Sequence, residues 1–137
     1  MSYSVEYSSS IEEDFDALND DDFNLVNEIF DLLESSVAVQ EEVALCRHRR
    51  MNPRFDAAQL VAWVQAGFDM GYLKIWAADG NLLNVRVVYG VDHRLPRPRL
   101  VVLGVMPRSE DYQLDTPYGL RIQRDYENHH LPTIRRA

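Results

Sequence analysis

Hydrophobic positions follow one period in the first half of the chain and another in the second, and the change of period divides it. The opening SYSVEYS alternates and is rich in Tyr and Val, which predicts a strand over Ser4–Ser8. Ser10 and Glu13 have capping-box spacing, and Ile11, Phe15 and Leu18 then place one apolar stripe on a short helix. Asn19 and Asp20 to Asp22 interrupt it, and these anions suit the start of the next helix, where backbone N–H groups leave a positive pole. Phe23, Val26, Phe30 and Leu33, flanked by Leu25, Ile29 and Leu32, predict a second amphipathic helix to about Ser35. Residues 37–50 predict a further helix that turns from acidic to basic along VQEEVALCRHRR. Asn52-Pro53 has the form of an N-cap with proline at the first helical position. Leu60, Val61, Trp63, Val64 and Phe68 would carry that helix to a glycine cap at Gly71, with Trp63 in the core.

From Tyr72 the period shortens to two. Tyr72–Ala78, Asn84–Val91 and Arg99–Met106 are rich in β-branched and aromatic residues and predict three strands. Asp79-Gly80-Asn81 is a hairpin signal, whereas residues 92–98 form a longer loop stiffened by Pro96 and Pro98. Thr116-Pro117 is a second cap, and Tyr118, Ile122 and Tyr126 give a last helix its stripe, with a frayed tail expected after His129. The order is a strand, two helices, an extra helix or helices, three strands and a helix. This is an α+β layout in which helices pack an antiparallel three-strand meander, within one domain over residues 1–137.

Composition narrows the class. The chain is 46% hydrophobic and 26% charged, as in ordinary globular proteins, and no apolar run approaches the roughly 20 residues of a membrane span. Residues 1–14 carry neither a basic nor an apolar leader region, and a single cysteine, Cys46, provides no internal disulfide and no CxxC metal site. Both features lead to an expected cytoplasmic location without membrane association. The net charge of −8 conceals a division: residues 1–46 hold 13 of the 22 acids and none of the 14 Lys plus Arg. The first third is therefore −13 and the rest +5, with four histidines besides. An acidic surface would repel nucleic acid on its own side and leave any RNA to a cationic groove elsewhere.

Three stretches, in this order, resemble the RelE/ParE superfamily of bacterial toxin components. They are the strand and helical hairpin ending in FDLLESS, the strand Asn84-Val-Arg-Val-Val-Tyr-Gly-Val-Asp, and Leu100-Val-Val-Leu-Gly-Val-Met with the following Pro-Arg-Ser-Glu-Asp-Tyr112. The resemblance implies a RelE-like fold carrying a helical insertion at about 37–71. It also implies the toxin component of a toxin–antitoxin system, with an antitoxin protein as partner, mRNA on the ribosome as a possible target, a possible homodimer, and no cofactor. Members that cleave mRNA make the 2′-hydroxyl attack the adjacent phosphate. This needs a proton acceptor, cations on the phosphoryl oxygens and a donor for the leaving 5′-oxygen. The resemblance assigns these roles to Lys74, Arg86, Arg108 and Tyr112. An acidic chain with one lysine also fits a protein-binding member of another class: a gyrase inhibitor, a phage-encoded regulator or an inactive toxin-fold interaction module.

Other residues offer anion or RNA contacts. Arg47, His48, Arg49 and Arg50 form the densest cation cluster, and Arg94, Arg97 and Arg99 form a second basic strip. Trp76 can stack a base if its face is open. His93 lies in the proline-stiffened loop, and His129-His130 lacks the spacing of a metal site, so no metal is expected. Strand geometry constrains the catalytic set. A two-residue hairpin loop would pair Lys74 with Val85, whereas a three-residue Asp79-Gly80-Asn81 loop would pair Lys74 with Arg86 on one face.

Overall fold

A computed structural model describes residues 2–45, 54–109 and 113–133. Its elements run β1 (Ser4–Tyr7), α1 (Ile11–Asp16), α2 (Asp20–Ser35), α3 (Val37–Ala44), β2 (Phe55–Gln59), α4 (Val61–Gln65), β3 (Met70–Trp76), β4 (Leu82–Asp92), β5 (Arg99–Pro107) and α5 (Pro117–Asn128). The class is α+β, built on one mixed sheet in the order β1-β5-β4-β3-β2. Strands β2 to β5 pair antiparallel in sequence, and β1 returns to lie parallel to β5.

The antiparallel run thus has four strands where the hydrophobic pattern suggested three. Residues 55–59, expected as the start of a helix, form the edge strand β2. Phe55 and Ala57 are fully buried and alternate with the half-buried Asp56, so the segment meets the core with a strand's period. Helix α4 is accordingly short, although Trp63 is core as expected. Gly71 caps nothing: it lies in β3 between Gln59 and Tyr89, where a Cβ would stand 2.6 Å from the Tyr89 hydroxyl. That hydroxyl donates to the Val43 carbonyl across the core at 2.7 Å, so the missing side chain makes room for a buried hydrogen bond. Asn52, Pro53 and Cys46 lie outside the described residues.

Each face of the sheet has its own apolar layer. Val26, Ile29, Phe30 and Leu33 of α2, with Val39 and Val43 of α3, pack on Phe55, Leu73, Ile75 and Val87. On the other face, Trp63 and the stripe Ile122 and Tyr126 pack on Met70, Val88, Val101 and Leu103. Gln40, 4% exposed, joins α2 to β1 by donating to the Leu33 carbonyl and accepting the Tyr3 N–H. The tail does not fray directly after His129. Leu131 is buried, and Thr133 bridges to Phe68.

A buried polar clasp joins the two faces around the outer edge of β5. β1 ends at Tyr7, beside Val102, so the next backbone groups of β5 have no neighbouring strand. Asp14 of α1 reaches that edge, and its Oδ2 accepts the Val105 N–H at 2.8 Å, while the Tyr118 hydroxyl donates to the Val105 carbonyl at 2.8 Å. Arg121 of α5 then grips Asp14 with two hydrogen bonds of 2.8 Å each. This pairing raises the Arg121 pKa, chiefly through the Asp14 hydrogen bonds, and burial raises that of Tyr118. Ser8 and Ser10 donate to Asp125 at 2.9 and 2.8 Å, so Ser10 turns to α5 instead of capping its own helix as its spacing with Glu13 suggested.

Removing one member of a buried, hydrogen-bonded pair leaves the other charge stranded in low dielectric. Asp14→Ala should therefore lower unfolding free energy by about 3–5 kcal/mol in urea titrations. The exposed Glu13→Ala on the same helix should stay within about 0.5 kcal/mol of wild type.

Candidate functional site

The β3–β4 hairpin determines which side chains can act together. Its turn comprises Ala78, Asp79 and Gly80: the Gly80 N–H donates to the Ala77 carbonyl at 2.9 Å, and the Ala77 N–H donates to that of Asn81 at 2.8 Å. Gly80 adopts φ +86°, a left-handed conformation that costs a glycine little, and the Asp79 carboxylate accepts the Asn81 N–H. The loop is three residues long but begins one residue earlier than Asp79-Gly80-Asn81. A bulge restores the register: Trp76 pairs with Leu82, whereas Lys74 pairs with Arg86, so β4 accommodates two additional residues between them. An even number of extra residues keeps Arg86 on the face of Lys74 and Trp76.

A row of functional groups crosses the sheet at this level. By register it runs from Asp56 on β2 through Lys74 and Arg86 to Met106 on β5. Tyr72 lies one pleat along from Lys74 on the same face. The Arg86 guanidinium carbon is 4.9 Å from the Tyr72 ring centroid, and the Lys74 ammonium is 6.0 Å from it. All four polar side chains are half-buried, as is Trp76. Asp56 Oδ1 is shielded from solvent and has no hydrogen-bond donor among the described residues. Arg108 follows the end of β5, and its N–H donates to the Asn84 carbonyl at 2.7 Å. Arg108 itself is exposed in the turn that follows Pro107.

Lys74, Arg86 and Trp76 thus share one face, on the side of the sheet opposite α1, α2 and α3, whereas Arg108 lies in the turn beyond β5. Tyr112 and the cluster Arg47, His48, Arg49 and Arg50 lie outside the described residues. The hydrophobic pattern missed Asp56 and Tyr72. Asp56 was hidden because its strand sits beside an Asn-Pro pair that looks like a helix start, and Tyr72 because it had the form of a strand aromatic with no distinguishing neighbour.

The strip of Arg94, Arg97 and Arg99 divides. Arg97 is exposed in the loop. Arg94 and Arg99 grip the buried Asp92 at 2.8 and 3.0 Å and donate to the His130 and His129 carbonyls at the end of α5. Their cations satisfy the negative pole of that helix, and Arg99 also reaches Glu6 of β1 at 3.4 Å. Hydrogen bonds from Arg94 hold the Asp92 carboxyl well below its ordinary range, at about 2. His93 stands 3.6 Å from Asp69, whose carboxyl is pushed up mainly by burial.

Among the described residues, no group of three or more His, Cys, Asp or Glu converges as a metal site, and no helix is long and apolar enough to cross a membrane. No protein-family model, no curated protein and no solved structure matches the chain.

Because the folded Asp92 pKa lies below its unfolded value near 3.9, its stabilisation is complete above that value and fades as pH falls through about 2. In urea titrations at several pH values, wild type should exceed Asp92→Asn by about 2 kcal/mol near pH 6. The gap should close progressively below pH 4.

Proposed function

We propose that the protein is a RelE/ParE-like toxin component that cleaves mRNA on the face carrying Lys74 and Arg86, with Arg108 contributed from the turn after β5. The register of Lys74 opposite Arg86, with Tyr72 packed beside both, carries this reading. Arg86 and Arg108 carry planar donor forks of the kind that grip phosphoryl oxygens. Lys74 supplies a compact charge for the developing phosphorane and a proton for the leaving 5′-oxygen. The carboxylate of Asp56, paired opposite Lys74 on β2, accepts the 2′-hydroxyl proton. Trp76 offers a ring on which a base can stack.

The charge division supports the same face. Residues 1–46 carry −13, and their helices α1, α2 and α3 lie behind the sheet, so phosphate is repelled there and admitted in front. An antitoxin protein would neutralise the toxin by covering the cationic face. The net charge of −8 and the single lysine favour a second reading, in which the same fold binds a protein target such as gyrase without cleaving RNA.

Expression in bacteria separates the two. Wild type should arrest growth and yield cleaved transcripts. Arg86→Ala should lower cleavage by about 100-fold or more, since it removes a preorganised donor to the reacting phosphate. Arrest with intact mRNA and trapped gyrase–DNA complexes would establish the second reading, and unimpaired growth would sink both.

A further inference from the structure

The opposite side of the molecule carries a feature that the nuclease reading does not use. Four aromatic rings run in series beneath the outer surface of α1 and α2. Tyr7 and Phe30 are 5.1 Å apart, Phe30 and Phe15 5.6 Å, and Phe15 and Phe23 5.0 Å. Two adjoining depressions share Phe15. The first is floored by Tyr7, Phe15 and Phe30 and edged by Asp31 and Glu34. The second is formed by Phe15, Leu18 and Phe23 and edged by Asp16 and Asp20.

The chemistry of this groove selects for a cation. Phe23 keeps 37% of its surface in solvent although its ring belongs to the aromatic series. Asp16, Asp20, Asp31 and Glu34 are all exposed, residues 1–45 contain no lysine or arginine, and Arg54, which lines a neighbouring depression with Asp31, is already paired with Glu28. Tyr7 feels this field: its hydroxyl pKa is raised first by burial and then by the Glu34 and Asp31 carboxylates. Aromatic faces attract guanidinium and ammonium groups, and flanking carboxylates add ion pairs to that attraction. A phosphate backbone would meet only repulsion. Among the described residues, Arg54, Arg94, Arg99 and Arg121 of the chain itself are already committed to internal carboxylates.

We propose that the aromatic groove along α1 and α2 docks an arginine-rich, partly apolar segment of a partner protein. Its apolar side chains rest on Phe15, Leu18 and Phe23, and its cations lie over the rings between the carboxylate rims. Two depressions sharing a central ring suit an extended or helical segment with successive anchors better than a single amine. The surface is independent of Lys74 and Arg86, which lie on the other side of the sheet.

Fluorescence anisotropy on the full chain tests this with two labelled synthetic peptides: one alternates leucine and arginine, and the other has glutamate in place of arginine. The arginine peptide should bind saturably and the glutamate peptide should not. Phe23→Ala should weaken binding by about tenfold or more, as should Asp31→Asn combined with Glu34→Gln, while Lys74→Ala leaves it unchanged. Phe23→Leu retains apolar bulk without the ring and should also weaken binding, which guards against a folding defect in the alanine variant. Absence of saturable binding would overturn the proposal. So would binding that responds to the carboxylates but ignores both Phe23 variants, since only diffuse charge attraction would remain. A concentration-dependent dimer dissolved by the same substitutions would also overturn it and assign the groove to a second copy.

Discussion

The arrangement of both faces depends on one carboxylate. Asp14 leaves α1, accepts the Val105 N–H at the uncovered edge of β5 and is held by the Arg121 fork from α5. A strand edge left open at this point would strand backbone groups or recruit another chain. Asp14, Tyr118 and Arg121 close it with side chains, so β1 can be short and α1 can cross to the front of its own layer. Gly104 allows the approach: a Cβ there would stand 2.9 Å from Arg121 and 3.0 Å from the Tyr118 hydroxyl. With α5 fixed against β5 at one end, and held at its other end by Arg94 and Arg99, its apolar stripe packs on Val88, Val101 and Leu103. Lys74, Arg86 and Trp76 lie farther along the same face.

This layout separates charge by layer. Thirteen acids belong to the first 46 residues, whose described helices pack behind the sheet, whereas the proposed reactive cations are in front. A net charge of −8 is therefore a poor guide to what either surface attracts. In the proposed reading the front would present Lys74 and Arg86 to an anion, and the back aromatic rings and carboxylates to a cation. A toxin-type enzyme and a docking surface for a basic partner can coexist on one small domain because the sheet keeps the two fields apart.

Much of this was legible in the residues alone. The stripes of α2 and α5 and the strands β4 and β5 were evident because their periods are strong and their caps explicit: Asn19 and Thr116 both cap with their side chains. The segment from Phe55 to Gly71 was not legible. FDAAQ has no β-branched residue, and its strand conformation comes from pairing with β3, a tertiary effect that local propensity does not register. The same effect hid Asp56. Turn preference alone left the pairing of Lys74 open, and the outcome rests on an earlier loop combined with a bulge, which no two-residue signal encodes. Ser10 shows the converse: its capping-box spacing was plain, yet a buried Asp125 from the far end of the chain claims its hydroxyl.

The proposed chemistry leaves a signature in the ends of the RNA. Attack by a 2′-hydroxyl on its own phosphate makes a 2′,3′-cyclic phosphate and frees a 5′-hydroxyl, with no water consumed in that step. Mass spectrometry of mRNA fragments, after purified protein acts on programmed ribosomes, reads those ends directly. The account predicts cyclic phosphate and 5′-hydroxyl termini that disappear with Arg86→Ala. Intact mRNA, or fragments ending in 3′-hydroxyl and 5′-phosphate, would contradict it.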